Sequence, residues 1–318
     1  MTDPDIQVTR VDWQQHIEPL RSIRERVFID EQGVSVEEEW DSEDENPETR
    51  HYLLTIDEQP AACARIQANG QLGRMAVLAD RRGRGIGRLL LQQVVTDWLE
   101  GQFERPESPG VFLHAQTQAV PFYESLGFAA DGDIFMDAGI PHRHMTPAEA
   151  PVFYPCLYRD RVNRLASPAG FRQHLCQMAS ASSRSLDILC HHLDKTLWGQ
   201  ESVVSAISAL ARRNANSRVR ILLMDSGPLS GSHHPLVQLA QRLSSRLECR
   251  VLNDETLAVD HAYAMADRRH LLYFNSEEDC VGFANYEARA ECRNRLEQFA
   301  HLWDHNSDPD PNLQRLFI

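Results

Sequence analysis

Residues 77–91 read VLADRRGRGIGRLLL, and this stretch decides how the first half of the chain folds. In it an apolar run ends, a turn rich in glycine and arginine follows, and an amphipathic helix begins at once. Gly83, Gly85 and Gly87 let the backbone approach a ligand closely and adopt torsions that a Cβ would penalise. The helix N-terminus adds unpaired N–H groups and partial positive charge. The stretch therefore predicts a seat for a pyrophosphate group, and an arginine-rich surface turn is the alternative.

Two common phosphate-binding loops are excluded. A phosphate-loop NTPase needs Gly-Lys-Ser/Thr at this point, whereas the chain has a single lysine, Lys195. A dinucleotide-binding fold needs Gly-x-Gly-x-x-Gly, whereas these three glycines are evenly spaced two residues apart.

Two motifs resemble one family. The order Arg82-x-x-Gly85-x-Gly87 resembles the acyl-CoA loop of the GCN5-related N-acetyltransferases (GNAT). Residues Ala119–Phe128 are similar to the A-x-x-F-Y-x-x-x-G-F signature at the end of the same fold. The resemblance implies that Tyr123 faces the CoA sulfur and acts as a general acid.

A third block narrows the resemblance to the ElaA-type branch. Ile23–Val34 and the acidic segment Glu39–Asp41 resemble the opening of that branch, and Gly139–His142 is similar to its closing strand. The resemblance covers residues 5–147. It implies an α/β fold with a mixed sheet flanked by helices, and transfer of an acetyl group from acetyl-CoA to an amine in one ternary complex.

The resemblance also implies the site residues. A backbone N–H near Val77 is expected to stabilise the oxyanion. Arg82 is the side chain expected to contribute most to pyrophosphate binding. Arg84 is expected to contribute as well, and a solvent-exposed position is the alternative for it. The residues expected to hold acetyl-CoA are Met75, Ala76, Val77, Arg82, Gly83, Arg84, Gly85, Ile86, Gly87, Arg88 and Phe122.

The catalytic base is left open. Glu31 and His114 are the first choices, and the other candidates are Glu39, Asp41, His51 and His142. Three structural alternatives stand beside these roles: Tyr123 packs against the core, His114 is a satisfied strand-end histidine, and Arg24 pairs with Glu31.

Apolar spacing and turn signals predict the elements of this half. Strands are expected at Ile6–Val11, His51–Ile56, Ala61–Gln67, Gln71–Val77 and Val111–Ala115, with two more near Phe128 and His142–Met145. Asn69–Gly70 predicts a hairpin turn. The helix after the glycine-rich loop is expected to stop at Gly101.

Composition limits the partners. The net charge of −14 lies wholly in residues 1–150, which hold 13 arginines against 27 acidic residues, whereas residues 151–318 hold 19 of each sign. An acidic first domain disfavours nucleic acid as a partner and favours a cationic amine as a substrate, with a solvated acidic loop as the alternative.

The sequence has neither an apolar run long enough to span a membrane nor a signal pattern, so a cytoplasmic protein without membrane partners is expected. Seven cysteines without a C-x-x-C pair predict reduced thiols, and the adjacent histidines predict no metal site.

The second half is expected to be a separate α/β layered domain. Prolines between Pro147 and Pro155 predict a linker at 148–158, between a GNAT domain at 1–147 and a second domain at 159–318. Strands alternating with helices predict a parallel-rich sheet. The pattern resembles a phospholipase D-like domain, whose H-x-K-x(4)-D motif is nearest to His261–Asp267. Tyr263 stands at the lysine position and the aspartate comes one residue early, so a binding, regulatory or dimerising role is expected instead of hydrolysis.

The chain is therefore expected to be an acetyl-CoA-dependent N-acyltransferase acting on a small amine or a protein lysine. The alternative is a non-catalytic acetyl-CoA-sensing or scaffolding protein with a partner-binding C-terminal domain. The acceptor is left unidentified and the oligomeric state open, although both resemblances imply folds in which homodimers are common.

Overall fold

The computed structural model of the chain describes residues 4–105, 107–159, 161–229, 233–253, 261–310 and 313. They form two units, Met1–Ala148 and Glu149–Ile318. Within these described ranges, no helix is both long and apolar enough to cross a membrane.

The first unit is built on a seven-stranded mixed sheet, which confirms the predicted fold class. Its strands are β1 (Ile6–Val11), β2 (Arg50–Ile56), β3 (Gln59–Ile66), β4 (Gln71–Val77), β5 (Phe112–Gln116), β6 (Phe128–Asp137) and β7 (Ile140–Pro147). They lie in the order β1-β2-β3-β4-β5-β7-β6, and every neighbouring pair is antiparallel except β4 and β5. The helices are α1 (Trp13–Arg24), α2 (Val36–Glu39), α3 (Ile86–Glu104) and α4 (Val120–Glu124).

Helix α1 begins at an Asp12 cap, whose carboxylate accepts the N–H of Gln15 at 3.0 Å. Its buried Leu20 and Ile23 pack into the core beneath the sheet. The helix then widens into a π-helical segment, Glu25–Glu31. Such widened turns often occur at functional sites because they redirect side chains that a regular helix would place elsewhere.

The Asn69–Gly70 turn sets where β4 meets β5. Gly70 has a left-handed backbone (φ +87°), which glycine adopts without a steric cost. The N–H of Phe112 donates to the Gly70 carbonyl at 3.0 Å, so the first residues of β4 and β5 are held side by side.

Strands β4 and β5 then separate. Among the described residues their ladder joins only Gln71 with Phe112 and Leu72 with Leu113. Strand β5 stays in the sheet because β7 pairs with its other edge along Leu113–Gln116. The far half of β4 is therefore left with one edge facing an opening.

Helix α3 does not stop at Gly101 but continues to Glu104, so that prediction is wrong. The Nη1 of Arg50 donates to the carbonyl of Asp97 at 3.1 Å, one turn before Gly101. A Cβ at Gly101 would lie 3.1 Å from the Arg50 guanidinium. The glycine makes room for a side chain from β2, and a single interior glycine costs a helix only about 1 kcal/mol.

The second unit contains an eight-stranded sheet in the order β15-β11-β10-β9-β12-β13-β14-β8. Its strands are β8 (Asn163–Leu165), β9 (Ser185–Cys190), β10 (Arg218–Leu223), β11 (Leu247–Leu252), β12 (Ala262–Ala266), β13 (His270–Ser276), β14 (Val281–Asn285) and β15 (Ser307–Asp308). Its helices are α5 (Ala150–Tyr158), α6 (Pro168–Ala181), α7 (Glu201–Arg212), α8 (Pro235–Arg242) and α9 (Arg289–His305).

Two predictions for this half need correction. The expected linker is largely helix α5, where Phe153 and Leu157 are buried and Tyr158 stacks on Tyr286 with ring centroids 4.8 Å apart. The sheet is not parallel-rich, because only β9, β10 and β11 run parallel. The later strands β12, β13 and β14 are joined by short turns, and a short turn can only connect antiparallel neighbours.

Gly70→Ala is expected to destabilise the first unit by about 2–4 kcal/mol, because alanine there would need a left-handed backbone and would overpack its neighbour. Its Cβ would lie 2.2 Å from the carbonyl oxygen of Gly110. Urea denaturation measures the loss, and hydrogen exchange locates it in β3 and β4. Gly110→Ala is the matched control, since a Cβ there meets no atom within 4 Å. Equal losses in the two variants would contradict the assigned role of Gly70.

Candidate active site

A cavity of about 830 Å³ opens where β4 and β5 separate. Besides those strands, the π-helical segment, the start of α3 and helix α4 contribute to its walls. It brings together most of the residues predicted from the sequence: Met75, Val77, Arg82, Gly83, Gly85, Ile86, Gly87, Arg88, His114, Phe122 and Tyr123. Glu31, Ala76 and Arg84 do not line it: Ala76 is buried in the core and Arg84 is exposed.

The glycine-rich loop has the geometry of an anion seat. Gly83 (φ +74°) and Gly85 (φ +78°) are left-handed, and Gly85 is the residue that caps α3. The first bond of the helix runs from the N–H of Leu89 to the Gly85 carbonyl at 3.1 Å. The N–H groups of the preceding turn have no acceptor within the helix, so they can donate hydrogen bonds to an anion placed there.

Gly87 lies at the contact between this loop and the rest of the cavity. A Cβ there would lie 3.5 Å from both Met75 and Phe122, and 3.6 Å from Val77. The start of α3 is thus in close contact with the edge of β4 and with α4.

Arg82 links three segments of the cavity wall. Its Nη2 is 2.6 Å from a carboxylate oxygen of Glu31, and its Nε donates to the Val77 carbonyl at 2.9 Å. The suggested Arg24–Glu31 pair is therefore wrong, since Glu31 pairs with Arg82. The π-helical segment carries Glu31 to this position, and its carboxylate is engaged by a guanidinium instead of facing the cavity.

Tyr123 places a phenol beside the free edge of β4. Its hydroxyl lies 3.8 Å from the sulfur of Met75, and its ring meets Phe122 edge-on at 5.0 Å. Burial raises the pKa of Tyr123 to about 12, because an apolar setting disfavours the phenolate. The phenol is therefore protonated at neutral pH and can donate.

His114 lies on β5 across the opening from β4. Its Nδ1 is 3.5 Å from the amide nitrogen of Gln71, and its ring centroid is 4.9 Å from that of Phe135. Burial lowers the pKa of His114, the nearby rings of His144 and His142 lower it further, and Asp137 opposes them. The imidazole is accordingly neutral at pH 7 and can accept a proton.

The acidic segment after α2 forms a buried ionic network with three arginines. Arg24 is 2.5 Å from Glu39 and 2.7 Å from Asp44, and these three side chains are at most 3% exposed. Arg65 joins Asp41 and Asp44, each at 2.6 Å. The guanidinium of Arg74 approaches the second carboxylate oxygen of Glu39 at 3.1 Å.

This network accounts for three of the four remaining base candidates, whereas His142 lines the cavity with its Nδ1 2.9 Å from the Ile140 carbonyl. Both carboxylate oxygens of Glu39 are paired, and Asp41 is held by Arg65, whose hydrogen bond lowers the pKa of that carboxyl against the effect of burial. The Nε2 of His51 is 3.0 Å from the Asp44 carbonyl. The sequence analysis did not foresee the network, although Arg65 and Arg74 within otherwise apolar strands were a signal for it.

The residues at the phospholipase D-like motif positions of the second unit do not come together: His261 lines a cavity with His191 and Glu277, whereas Tyr263 and Asp267 do not line it. Tyr263 is buried, with its ring beneath the Arg295 guanidinium at 5.2 Å. Asp267 follows β12 whereas His261 precedes it, and its carboxylate accepts the N–H groups of Ser183, Arg184 and Ser185 at 2.8–2.9 Å. The aspartate closes a turn.

Splayed central strands, a glycine-rich helix start and a buried phenol together define an acetyltransferase architecture. The family described as "Acetyltransferase (GNAT) domain" matches residues 18–148. The chain belongs to the GNAT acetyltransferase family through this region, which confirms the predicted family.

Individual proteins of known sequence or structure are also similar to this region of the chain. The uncharacterized N-acetyltransferase YjcF of Bacillus subtilis is 38% identical over 127 residues, covering 39% of this chain and 86% of that protein. The solved structure of ElaA from Escherichia coli is 25% identical, covering 45% of this chain and 99% of its own, with a TM-score of 0.39. An acyl-CoA N-acyltransferase from Pseudomonas aeruginosa is 24% identical, covering 46% and 100% respectively, also with a TM-score of 0.39. Residues 167–316 match a family described as "Domain of unknown function (DUF7931)", and the phospholipase D-like resemblance stays a prediction.

Arg24→Gln is expected to lower the free energy of unfolding of the first unit by about 3–5 kcal/mol, because it leaves the buried carboxylates of Glu39 and Asp44 without compensation. Arg26→Gln, two residues away and exposed, is the matched control and is expected to change stability by less than about 0.5 kcal/mol. Chemical denaturation of both variants measures the difference. A loss for Arg24→Gln no larger than that of the control would show that the network does not support the fold.

Proposed function

We propose that the first unit transfers an acetyl group from acetyl-CoA directly to an amine. The observation that carries this proposal is the single cavity that joins an anion-binding helix start to a protonated phenol and a neutral histidine. The loop of Gly83 and Gly85 supplies N–H groups for the pyrophosphate, and Arg88 lines the same wall.

The edge of β4 offers groups for the pantetheine arm and the thioester. The N–H of Leu78 points to β3, where it donates to the Ala61 carbonyl at 3.0 Å. Because N–H groups alternate in direction along a strand, the N–H of Val77 points to the opposite side, towards the opening. This orientation supports Val77 as the donor that stabilises the oxyanion of the tetrahedral intermediate.

Tyr123 is the proposed acid. When the tetrahedral intermediate collapses, the carbon–sulfur bond breaks and the sulfur takes a proton from the phenol. A free thiol has a pKa of about 8.5, but the desolvation that raises the pKa of Tyr123 also makes a departing thiolate more basic. Burial therefore raises the pKa of the proton donor, Tyr123, and the pKa of the thiol that forms when the CoA thiolate accepts the proton.

His114 is the proposed base, and Glu31 is the weaker candidate because Arg82 engages its carboxylate. A neutral imidazole can take the proton that the amine loses as it attacks the carbonyl carbon. No cysteine is among the described residues that line the cavity, so a direct transfer is favoured over an acetyl-enzyme. Holding both substrates together removes the entropic cost of their encounter.

A non-catalytic acetyl-CoA sensor is the less favoured alternative. Binding alone needs the loop, but it needs neither a proton donor nor a proton acceptor beside the thioester. The second unit, with its resemblance to a phospholipase D-like domain, is proposed to bind or regulate. Small amines and protein lysines both remain candidate acceptors.

Tyr123→Phe is expected to lower turnover by about 10²–10⁴-fold, the usual contribution of a positioned proton donor, and to leave acetyl-CoA affinity unchanged. Calorimetry measures the affinity, and CoA release in the presence of spermidine, glucosamine or a lysine-containing peptide measures turnover. Tyr154→Phe in the second unit is the matched control. Failure of the folded wild-type chain to bind acetyl-CoA would refute the proposed function, whereas unchanged turnover in Tyr123→Phe would remove only this residue.

The pH dependence of kcat/KM is expected to report His114. The imidazole must be neutral to accept a proton, and its lowered pKa keeps it neutral down to a pH below its ordinary value near 6.5. Activity should therefore fall only as the pH drops through that lowered pKa. His114→Gln should be slower at neutral pH and should lose this acid limb, while His16→Gln on α1 keeps it. Persistence of the limb in His114→Gln would exclude His114 as the base.

A further inference from the structure

The second unit has a cavity of about 680 Å³ beside the ends of its strands, where the parallel strands β9 and β10 begin. Five arginines line it: Arg184, Arg218, Arg220, Arg246 and Arg268. The acidic residues among the described lining are Asp187 and Asp267. Residues 151–318 carry equal numbers of basic and acidic side chains. The cavity therefore concentrates positive charge, and acidic side chains in the rest of the unit balance it.

Both carboxylates are already engaged. An oxygen of Asp187 accepts from the Nε of Arg220 at 2.7 Å, and this guanidinium also lies 4.8 Å from the ring centre of Phe299. Asp267 accepts three backbone N–H groups from the start of β9. Arg246 donates to the Asn214 carbonyl at 2.6 Å.

The guanidinium groups of Arg184, Arg218 and Arg268 make no hydrogen bond and no ion pair within the part of the chain that the structure describes. Arg184 and Arg218 are neighbours across the sheet, since the N–H of Arg218 donates to the Arg184 carbonyl at 2.8 Å. Arg268 follows β12, the next strand, with a left-handed backbone (φ +56°) that the Asp267 turn holds in place.

The spacing of these three residues suits one small ligand. They stand at the ends of β10, β9 and β12, which are consecutive in the sheet. Neighbouring strands lie about 4.8 Å apart, so the three backbones span about 10 Å, and long flexible side chains can converge over that distance.

We propose that this cavity binds a small anion carrying two or more phosphoryl groups. Guanidinium forks match phosphoryl oxygens with paired, charge-assisted hydrogen bonds. A tetrahedral phosphoryl group accepts such bonds from several directions, as three arginines on three strands require, whereas a planar carboxylate presents its acceptors in one plane. The hydroxyls of Ser185 and Ser245, which also line the cavity, add neutral donors, whereas that of Ser217 already donates to the Ser183 carbonyl at 3.0 Å.

The test measures pyrophosphate binding to the full chain by calorimetry. The triple variant Arg184→Gln, Arg218→Gln and Arg268→Gln is compared with a control triple variant, Arg164→Gln, Arg242→Gln and Arg293→Gln. The control arginines are exposed, lie outside the cavity and remove the same charge from the same unit. Both variants keep the glycine-rich loop of the first unit, so any pyrophosphate bound there contributes equally to the two.

The cavity variant is expected to bind pyrophosphate at least tenfold more weakly than the wild type, and the control variant should bind like the wild type. Equal binding by the two variants would overturn the proposal. Citrate binding at this cavity as tightly as pyrophosphate would overturn its assignment to phosphoryl groups. Should the cavity triple variant fail to fold, Arg218→Glu alone is expected to weaken binding more than Arg218→Gln, and equal effects would refute the site.

Discussion

The separation of β4 from β5 after Leu72 is the constraint on which the first unit depends. In a continuous ladder, backbone groups along both strands would pair with each other, and no cavity would form between them. Strand β7 keeps β5 in the sheet by pairing along its other edge, so the two central strands can part without either being lost. The opening exposes the edge of β4 to the start of α3 and to Tyr123, and this convergence forms the cavity in which we propose that acetyl transfer takes place.

The buried ionic network supports one side of this opening. It joins α1, the acidic segment, β3 and β4 through Arg24, Arg65 and Arg74. Removing so many charges from water is costly, and dense pairing is what offsets the cost. Part of the acidity of the first unit is consequently internal and neutralised. Any preference for a cationic acceptor must come from carboxylates that still face the cavity, among which is Asp137.

The two proposed anion sites offer their donors in different ways. In the first unit, the donors are backbone N–H groups of a glycine-rich turn. In the second, they are arginine side chains that gather at the strand ends of a sheet whose centre is parallel and whose flanks are antiparallel. That mixed topology brings Arg268, from a hairpin turn, beside Arg184 and Arg218, from the starts of parallel strands.

The sequence by itself determined the features whose causes are local. Glycine at positions 83 and 85 permits the left-handed turn, Asn69–Gly70 makes the hairpin, and the Phe122–Tyr123 signature identifies α4, so the family and the cavity lining around the glycine-rich loop and α4 could be predicted. Only the tertiary structure decided that Glu31 pairs with Arg82, that Glu39 pairs with Arg24, and that Gly101 makes room for Arg50 inside a continuing helix. The reason is physical: periodicity and turn chemistry specify an element and its faces, but the partner of a buried charge comes from a distant segment, and only the packing of the whole unit selects it.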